Sequence, residues 1–85
     1  MRGASFAAPQ LTSPEALASS VLILAEAYEL TPAEVEYDVA VLQAYPWSGL
    51  ELLVWLQDRH HWHASTCVYY LAALRRALRG QSPWF

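Results

Sequence analysis

Between Arg59 and Cys67 the chain gathers His60, His61, His63, Ser65, Thr66 and its single cysteine. Imidazole and thiolate are the donors that zinc prefers, usually four in tetrahedral array, and His63 and Cys67 stand one helical turn apart. Adjacent His60 and His61 diverge from each other, however, and no second cluster completes the set. A covalent mechanism would take Cys67 or Ser65 as nucleophile and His61 or His63 as base. It would also need an orienting acid and an oxyanion pocket, which a chain with few polar residues is poorly supplied to build. Cys67 moreover shares a stripe with Leu71 and Leu74, where it serves as a small buried hydrophobe. No catalytic residue, no metal ligand and no cofactor is therefore expected.

The elements that must position these side chains can be read from their caps. "TSPEA" supplies Thr12 or Ser13 as a cap, Pro14 in the first turn and Glu15 where a helix dipole favours an acid. The first helix is expected to run to about Leu30. Leu17, Val21, Leu24 and Tyr28 make its stripe, and Leu22, Ile23, Ala25 and Ala27 widen it toward a central position or an oligomer seam. "TPAE", Thr31–Glu34, is a capping box that opens a second helix, with Val35, Val39 and Leu42 on one side and Glu34 and Asp38 on another. Pro46 closes that helix. "SGLE", Ser48–Glu51, opens a third, whose inner face is expected to be Leu50, Leu53, Val54 and Leu56. The fourth starts near His63 and stops at Gly80, with Cys67, Tyr70, Leu71, Leu74 and Leu78 at helical spacing and Arg75, Arg76 and Arg79 in its last turns.

The fold class that follows is all-α: a small four-helix domain with short connections. Residues 1–12 read as a flexible tail, 13–80 as one helical domain and 81–85 as a C-terminal tail. Its expected core is Leu17, Val21, Leu24, Val35, Val39, Leu42, Leu53, Leu56, Trp62, Cys67, Leu71 and Leu74.

Composition limits the function classes. The chain has 85 residues, 55% apolar and 15% charged, against about 25% charged in an ordinary soluble domain. So small a domain cannot hide that much apolar surface, which points to self-association or a partner. Four Trp, five Tyr and two Phe argue against a disordered chain. A lone cysteine and the lack of a recognisable signal segment suit a cytoplasmic protein, and "VLILA" is too short to span a membrane. The net charge is −3, but unevenly placed. Residues 1–47 carry Glu15, Glu26, Glu29, Glu34, Glu36 and Asp38 against Arg2, whereas 48–85 carry Arg59, Arg75, Arg76 and Arg79 against Glu51 and Asp58.

The third helix, a short break and then "WHASTCVYYLAAL" together resemble the helix-turn-helix family, a tri-helical domain, over roughly residues 35–78. Trp62 matches the apolar residue after the turn, His63 the cap, Cys67 the mid-helix core position, and Tyr70 with Leu71 the next turn. Gln57 stands where a small residue is usual and His61 where the turn glycine is usual. The resemblance implies a core in which His60 and His61 make the turn, Trp62 plugs the interior and His63 caps the last helix. It also implies double-stranded DNA as target, with His63, Ala64, Ser65, Val68, Tyr69 and Ala72 facing the major groove and Arg59, Arg75, Arg76 and Arg79 holding phosphates. Such a regulator would be a homodimer through the first helix. That face lacks the Arg, Asn and Gln that most often read bases, so the same residues, His63, Ser65, Val68, Tyr69 and Ala72, equally suit a protein partner. The second expectation is accordingly a protein-interaction module or small inhibitor protein that binds no DNA. Both are non-enzymatic.

Overall fold

Helix boundaries fall where the capping chemistry puts them. The structure, a computed structural model, describes residues 13–83; the expected N-terminal tail and Trp84–Phe85 lie outside the described residues. Helix α1 spans Pro14–Ala27, α2 Pro32–Ala44, α3 Gly49–His60 and α4 Ala64–Leu78, and no strand occurs among the described residues. The domain is all-α. None of these helices is long and apolar enough to cross a membrane.

Ser13 starts α1, its Oγ accepting from the Ala16 amide at 3.1 Å. The helix ends three residues before Leu30, because Glu29 turns into the left-handed region at φ 57°. There the Glu29 amide donates to the Glu26 carbonyl and the Leu30 amide to the Ala25 carbonyl, the two bonds of a Schellman closure. Both expected capping boxes are formed. In α2 the Glu34 amide donates to Thr31 Oγ1 at 3.1 Å, while the Thr31 amide donates to Glu34 Oε1 at 2.8 Å. In α3 Ser48 and Glu51 repeat the exchange at 3.2 and 2.8 Å. Each cap contributes about 1 kcal/mol, a meaningful share of the total for a domain this small. Tyr45 is extended ahead of Pro46, which stops α2.

The third connection is the tightest. His61 adopts φ 59°, ψ 40°, and its amide donates to the Gln57 carbonyl at 2.8 Å. A left-handed residue reverses the chain after one position, so three residues suffice between α3 and α4. The expectation that His60 shares this turn is corrected: it is the last residue of α3. His63 stands at the N-cap of α4, yet its imidazole makes no capping bond there. Its backbone carbonyl accepts the first intrahelical bond, from the Cys67 amide at 3.2 Å. At the other end Gly80 takes φ 78°, and bonds from Gly80 to Ala77 and from Gln81 to Arg76 close a second Schellman motif.

Helix α4 is the central element, packing against both α3 and α1, and α1 also packs against α2. Its inner face is Cys67, Tyr70, Leu71, Ala73, Leu74 and Ala77, all buried. Val21, Leu24 and Ala25 meet it from α1, Val35 and Val39 from α2, and Leu52 and Leu56 from α3. Leu17, Leu42, Leu53 and Trp62 from the expected core sit at its margin, half-buried. Two faces differ from expectation. Helix α1 turns Leu22 and Ile23 outward, so it is not central and these two residues of its widened stripe stay uncovered among the described residues. Helix α3 is rotated relative to the expected inner face: Leu52 is buried, while Leu50 and Val54 are 72% and 58% exposed. The stripe Leu52, Leu56 and Arg59 follows an i, i+4, i+7 spacing as well as the expected one did, and α4 selects it.

Candidate functional site

Asp38 is the only buried charged residue among those described, at 1% exposure, and it lies on the inner face of α2 with Val35 and Val39. The expectation that it shares an outer side with Glu34 is corrected. Its Oδ1 accepts from Arg59 Nε at 2.6 Å, and its Oδ2 accepts from the Tyr70 hydroxyl at 2.5 Å and from His60 Nε2 at 2.8 Å. Because the carboxylate can only accept, the His60 ring carries its proton on Nε2. One acid on α2 thus ties down the end of α3 twice and the middle of α4 once. A buried carboxylate is costly unless its lone pairs are filled, and three donors fill them here.

An aromatic box surrounds this acid. The His60 ring stacks on Trp62 with centroids 4.4 Å apart, and both meet Tyr70 edge-on at 5.7 and 5.1 Å. Tyr28 of α1 completes the box against Trp62 and Tyr70. Burial, followed by the hydrogen bond and charge of Asp38, pushes the Tyr70 phenol far above its ordinary pKa. Burial also raises Tyr28, with Arg76 pulling it partly back. Trp62 therefore walls a polar junction rather than plugging an apolar interior. The rings of the box are engaged with one another and with Asp38, which makes it a fastener between helices.

Arg59 belongs to two regions at once. Besides holding Asp38, its Nη2 donates to the Glu34 carbonyl at 3.2 Å. Its guanidinium also lies over the Tyr37 ring at 4.7 Å and near the Trp55 ring at 5.7 Å. From there a ladder of rings runs along the outside of α2 and α3: Tyr37 to Trp55 at 6.3 Å, Trp55 to Trp47 at 5.8 Å, and Trp47 to Tyr45 at 5.3 Å. Tyr37 and Tyr45 are more than half exposed. Beside the ladder, Trp47, Leu50, Glu51, Val54, Trp55 and Asp58 line a concavity of about 640 Å³.

The expected residues of α4 divide. His63, Ser65, Val68 and Tyr69 are exposed, Tyr69 at 70%, and Ala72 is half-buried. Tyr69 and Ala73 open onto a smaller hollow shared with Tyr28 and Arg76. The four arginines do not act together. Arg59 is committed to Asp38 and Glu34. Arg76 donates from Nε and Nη2 to the Pro83 carbonyl, drawing a buried Pro83 back onto the domain. Arg75 is exposed and reaches toward Gly49 at the start of α3, and Arg79 is exposed with its Nε on Gln81.

The histidines and cysteine that opened the question are dispersed by the fold. His60 is spent on Asp38, His61 and His63 are exposed, and Cys67 is fully buried. Among the described residues no three His, Cys, Asp or Glu side chains converge on a point where a metal ion could sit. Burial raises the Cys67 thiol above its ordinary pKa, the opposite of an activated nucleophile. Outside the box, Glu34 is held below the usual carboxylate range, chiefly by the amide of Thr31 in its capping box.

Two features escaped the sequence reading. Asp38 stood on the Val35, Val39 and Leu42 stripe, at i+3 and i−1 from its valines, and that spacing was the signal for burial. The ladder had no such signal, because Tyr37, Tyr45, Trp47 and Trp55 share no helical period across the Pro46 break. No family model matches the chain, and no curated protein and no solved structure matches it.

Proposed function

We propose that this domain is a non-enzymatic protein-interaction module that recognises its partner through the aromatic face of α2 and α3. The observation that carries the reading is the ladder Tyr45, Trp47, Trp55 and Tyr37 beside the exposed Leu50 and Val54. Tyr and Trp supply large contact area at low entropy cost and dominate the energetics of protein interfaces. Here Trp47 and Trp55 are half-buried while Tyr37, Tyr45, Leu50 and Val54 are exposed among the described residues, a costly arrangement for a small domain without a partner.

The arginines favour the same reading over DNA. Two of the four described are engaged by Asp38 and by the Pro83 carbonyl, leaving Arg75 and Arg79 for phosphates, in a chain of net charge −3. The DNA reading keeps one supporting observation, the outward face of α4 with His63, Ser65, Val68 and Tyr69 after a three-residue turn. A homodimer through α1 rests in the same way on the outward Leu22 and Ile23.

A displayed random-peptide library selected on the domain, and counter-selected on the double variant Leu50→Gln/Val54→Gln, tests the proposal. Both positions are exposed on a helix where Gln is well tolerated, so the variant folds. Enrichment of peptides that bind the parent and not the variant is expected. Enrichment of none, together with duplex-DNA binding that falls steeply with salt and is lost in Arg75→Ala/Arg79→Ala, would replace this reading with the DNA one.

A further inference from the structure

The groove beside the ladder has a charge pattern as well as an apolar floor. Along α3, Glu51 and Asp58 are seven residues apart, which places them on one face about 10 Å from each other. Val54 and Trp55 lie between them on that face, and Leu50 precedes Glu51. The surface therefore reads carboxylate, apolar, carboxylate over two turns, with Trp47 as its side wall. Both carboxylates are exposed. Glu51 uses one oxygen to cap Ser48, which leaves its other oxygen outward.

No cation answers them from within the groove. The nearest basic residue in sequence, Arg59, points its guanidinium away to Asp38, the Glu34 carbonyl and the Tyr37 ring. Arg75 comes near Gly49, two residues before Glu51, but does not line the groove and makes no ion pair with Glu51 within 4.0 Å among the described residues. Arg59 also shows what the ring wall accepts, since it already lies against the Tyr37 and Trp55 rings. Aromatic faces attract cations, so Trp47 and Trp55 add to the pull of the two acids.

Resting on the interaction reading above, we infer that the partner is an amphipathic helical segment of another protein in which two basic residues, seven positions apart, flank an apolar one. The apolar residue seats between Trp47, Leu50, Val54 and Trp55, and the bases pair with Glu51 and Asp58. Repetition at i and i+7 matches helix to helix, since residues two turns apart on one helix face residues two turns apart on the other. Opposed charges at such a rim set specificity and approach more than affinity.

Three designed peptides of one helical pattern, Leu on one face and Arg, Gln or Glu at the flanking positions, measure this directly by fluorescence anisotropy at near-physiological salt. The Arg peptide is expected to bind at least tenfold more tightly than the Glu peptide, with the Gln peptide between them. The double variant Glu51→Gln/Asp58→Asn keeps the capping geometry, and in it the Arg and Gln peptides should converge within about twofold. Leu50→Gln/Val54→Gln should weaken all three. If instead the Glu peptide binds as well as the Arg peptide, or the Arg peptide ignores Glu51→Gln/Asp58→Asn, the basic partner is wrong. The interaction reading survives that outcome whenever Leu50→Gln/Val54→Gln still abolishes binding, and falls with it when that variant binds all three peptides unchanged. A dimer in sedimentation equilibrium that Leu50→Gln/Val54→Gln dissociates would also overturn the inference, by making a second copy the occupant.

Discussion

The domain builds two aromatic clusters from nearly the same residue types and uses them oppositely. Around Asp38, the rings of Tyr28, His60, Trp62 and Tyr70 close on one another and on a buried charge. Along α2 and α3, the rings of Tyr37, Tyr45, Trp47 and Trp55 are joined more loosely, at 5.3 to 6.3 Å, and lie beside exposed Leu50 and Val54. What separates them is polar satisfaction. The first cluster has a carboxylate on α2 whose lone pairs need donors, and α3 and α4 converge to supply them. The second has no such demand, and among the described residues Tyr37 and Tyr45 stay more than half exposed. Arg59 joins the two, with one nitrogen on Asp38 and its guanidinium face on the ladder. The fastener thereby fixes the angle at which the open surface is presented.

Cutting the fastener should have the largest effect. Asp38→Ala strands three donors, and breaking a buried pair by removing one partner costs about 3–5 kcal/mol. For a domain of this size the total is on the order of 4–13 kcal/mol. Urea denaturation should place the variant at or near unfolding at ambient temperature, whereas Asp38→Asn, which retains an acceptor, should lose less. Equal stability of Asp38→Ala and the parent would show that the box is incidental.

A smaller loss is expected for Tyr70→Phe, about 1–3 kcal/mol for removing a buried donor from a charged acceptor. This variant also carries a pH signature. The native phenol holds its proton well above the ordinary value of 10.0, so its contribution is complete below pH 10. Above that, the unfolded chain releases a proton that the native state keeps, and stability declines as pH rises, by up to about 1.4 kcal/mol per pH unit for this one group. Thermal melts between pH 9 and 11 should fall more steeply for the parent than for Tyr70→Phe; parallel slopes would remove Tyr70 from the linkage.

The open cluster should respond in the opposite sense. Exposed substitutions away from caps and buried networks stay within about 0.5 kcal/mol, and Leu50→Gln/Val54→Gln should unfold with the parent while losing the partner. A destabilisation comparable to that of Tyr70→Phe would mean that Leu50 and Val54 belong to the packing and not to a binding face.

The contrast also explains what the sequence made legible. Caps are local, so Ser13, Thr31–Glu34, Ser48–Glu51 and Gly80 marked all four helices within a few residues, and the all-α class followed. The α4 stripe was equally plain, because Cys67, Leu71 and Leu74 recur at one period. The α3 face was not, since two overlapping stripes were available and only packing against α4 chooses Leu52 and Leu56 over Leu50 and Val54. Asp38 was misplaced because an acid on an apolar stripe reads as polar until its donors are known, and those donors lie more than twenty residues away. The arginines read as a set from composition, but Arg59 and Arg76 are separated from it by hydrogen-bonded acceptors that no spacing announces. The ladder is tertiary altogether, assembled across the Pro46 break.

The central claim, that one aromatic cluster fastens and the other binds, is tested most directly by the tryptophan indole N–H signals in an NMR titration with the Arg-flanked peptide, assigned through single Trp→Phe variants. The account predicts saturable shifts of the Trp47 and Trp55 signals while the Trp62 signal stays in place. Movement of Trp62 with Trp47 and Trp55 unmoved would contradict it.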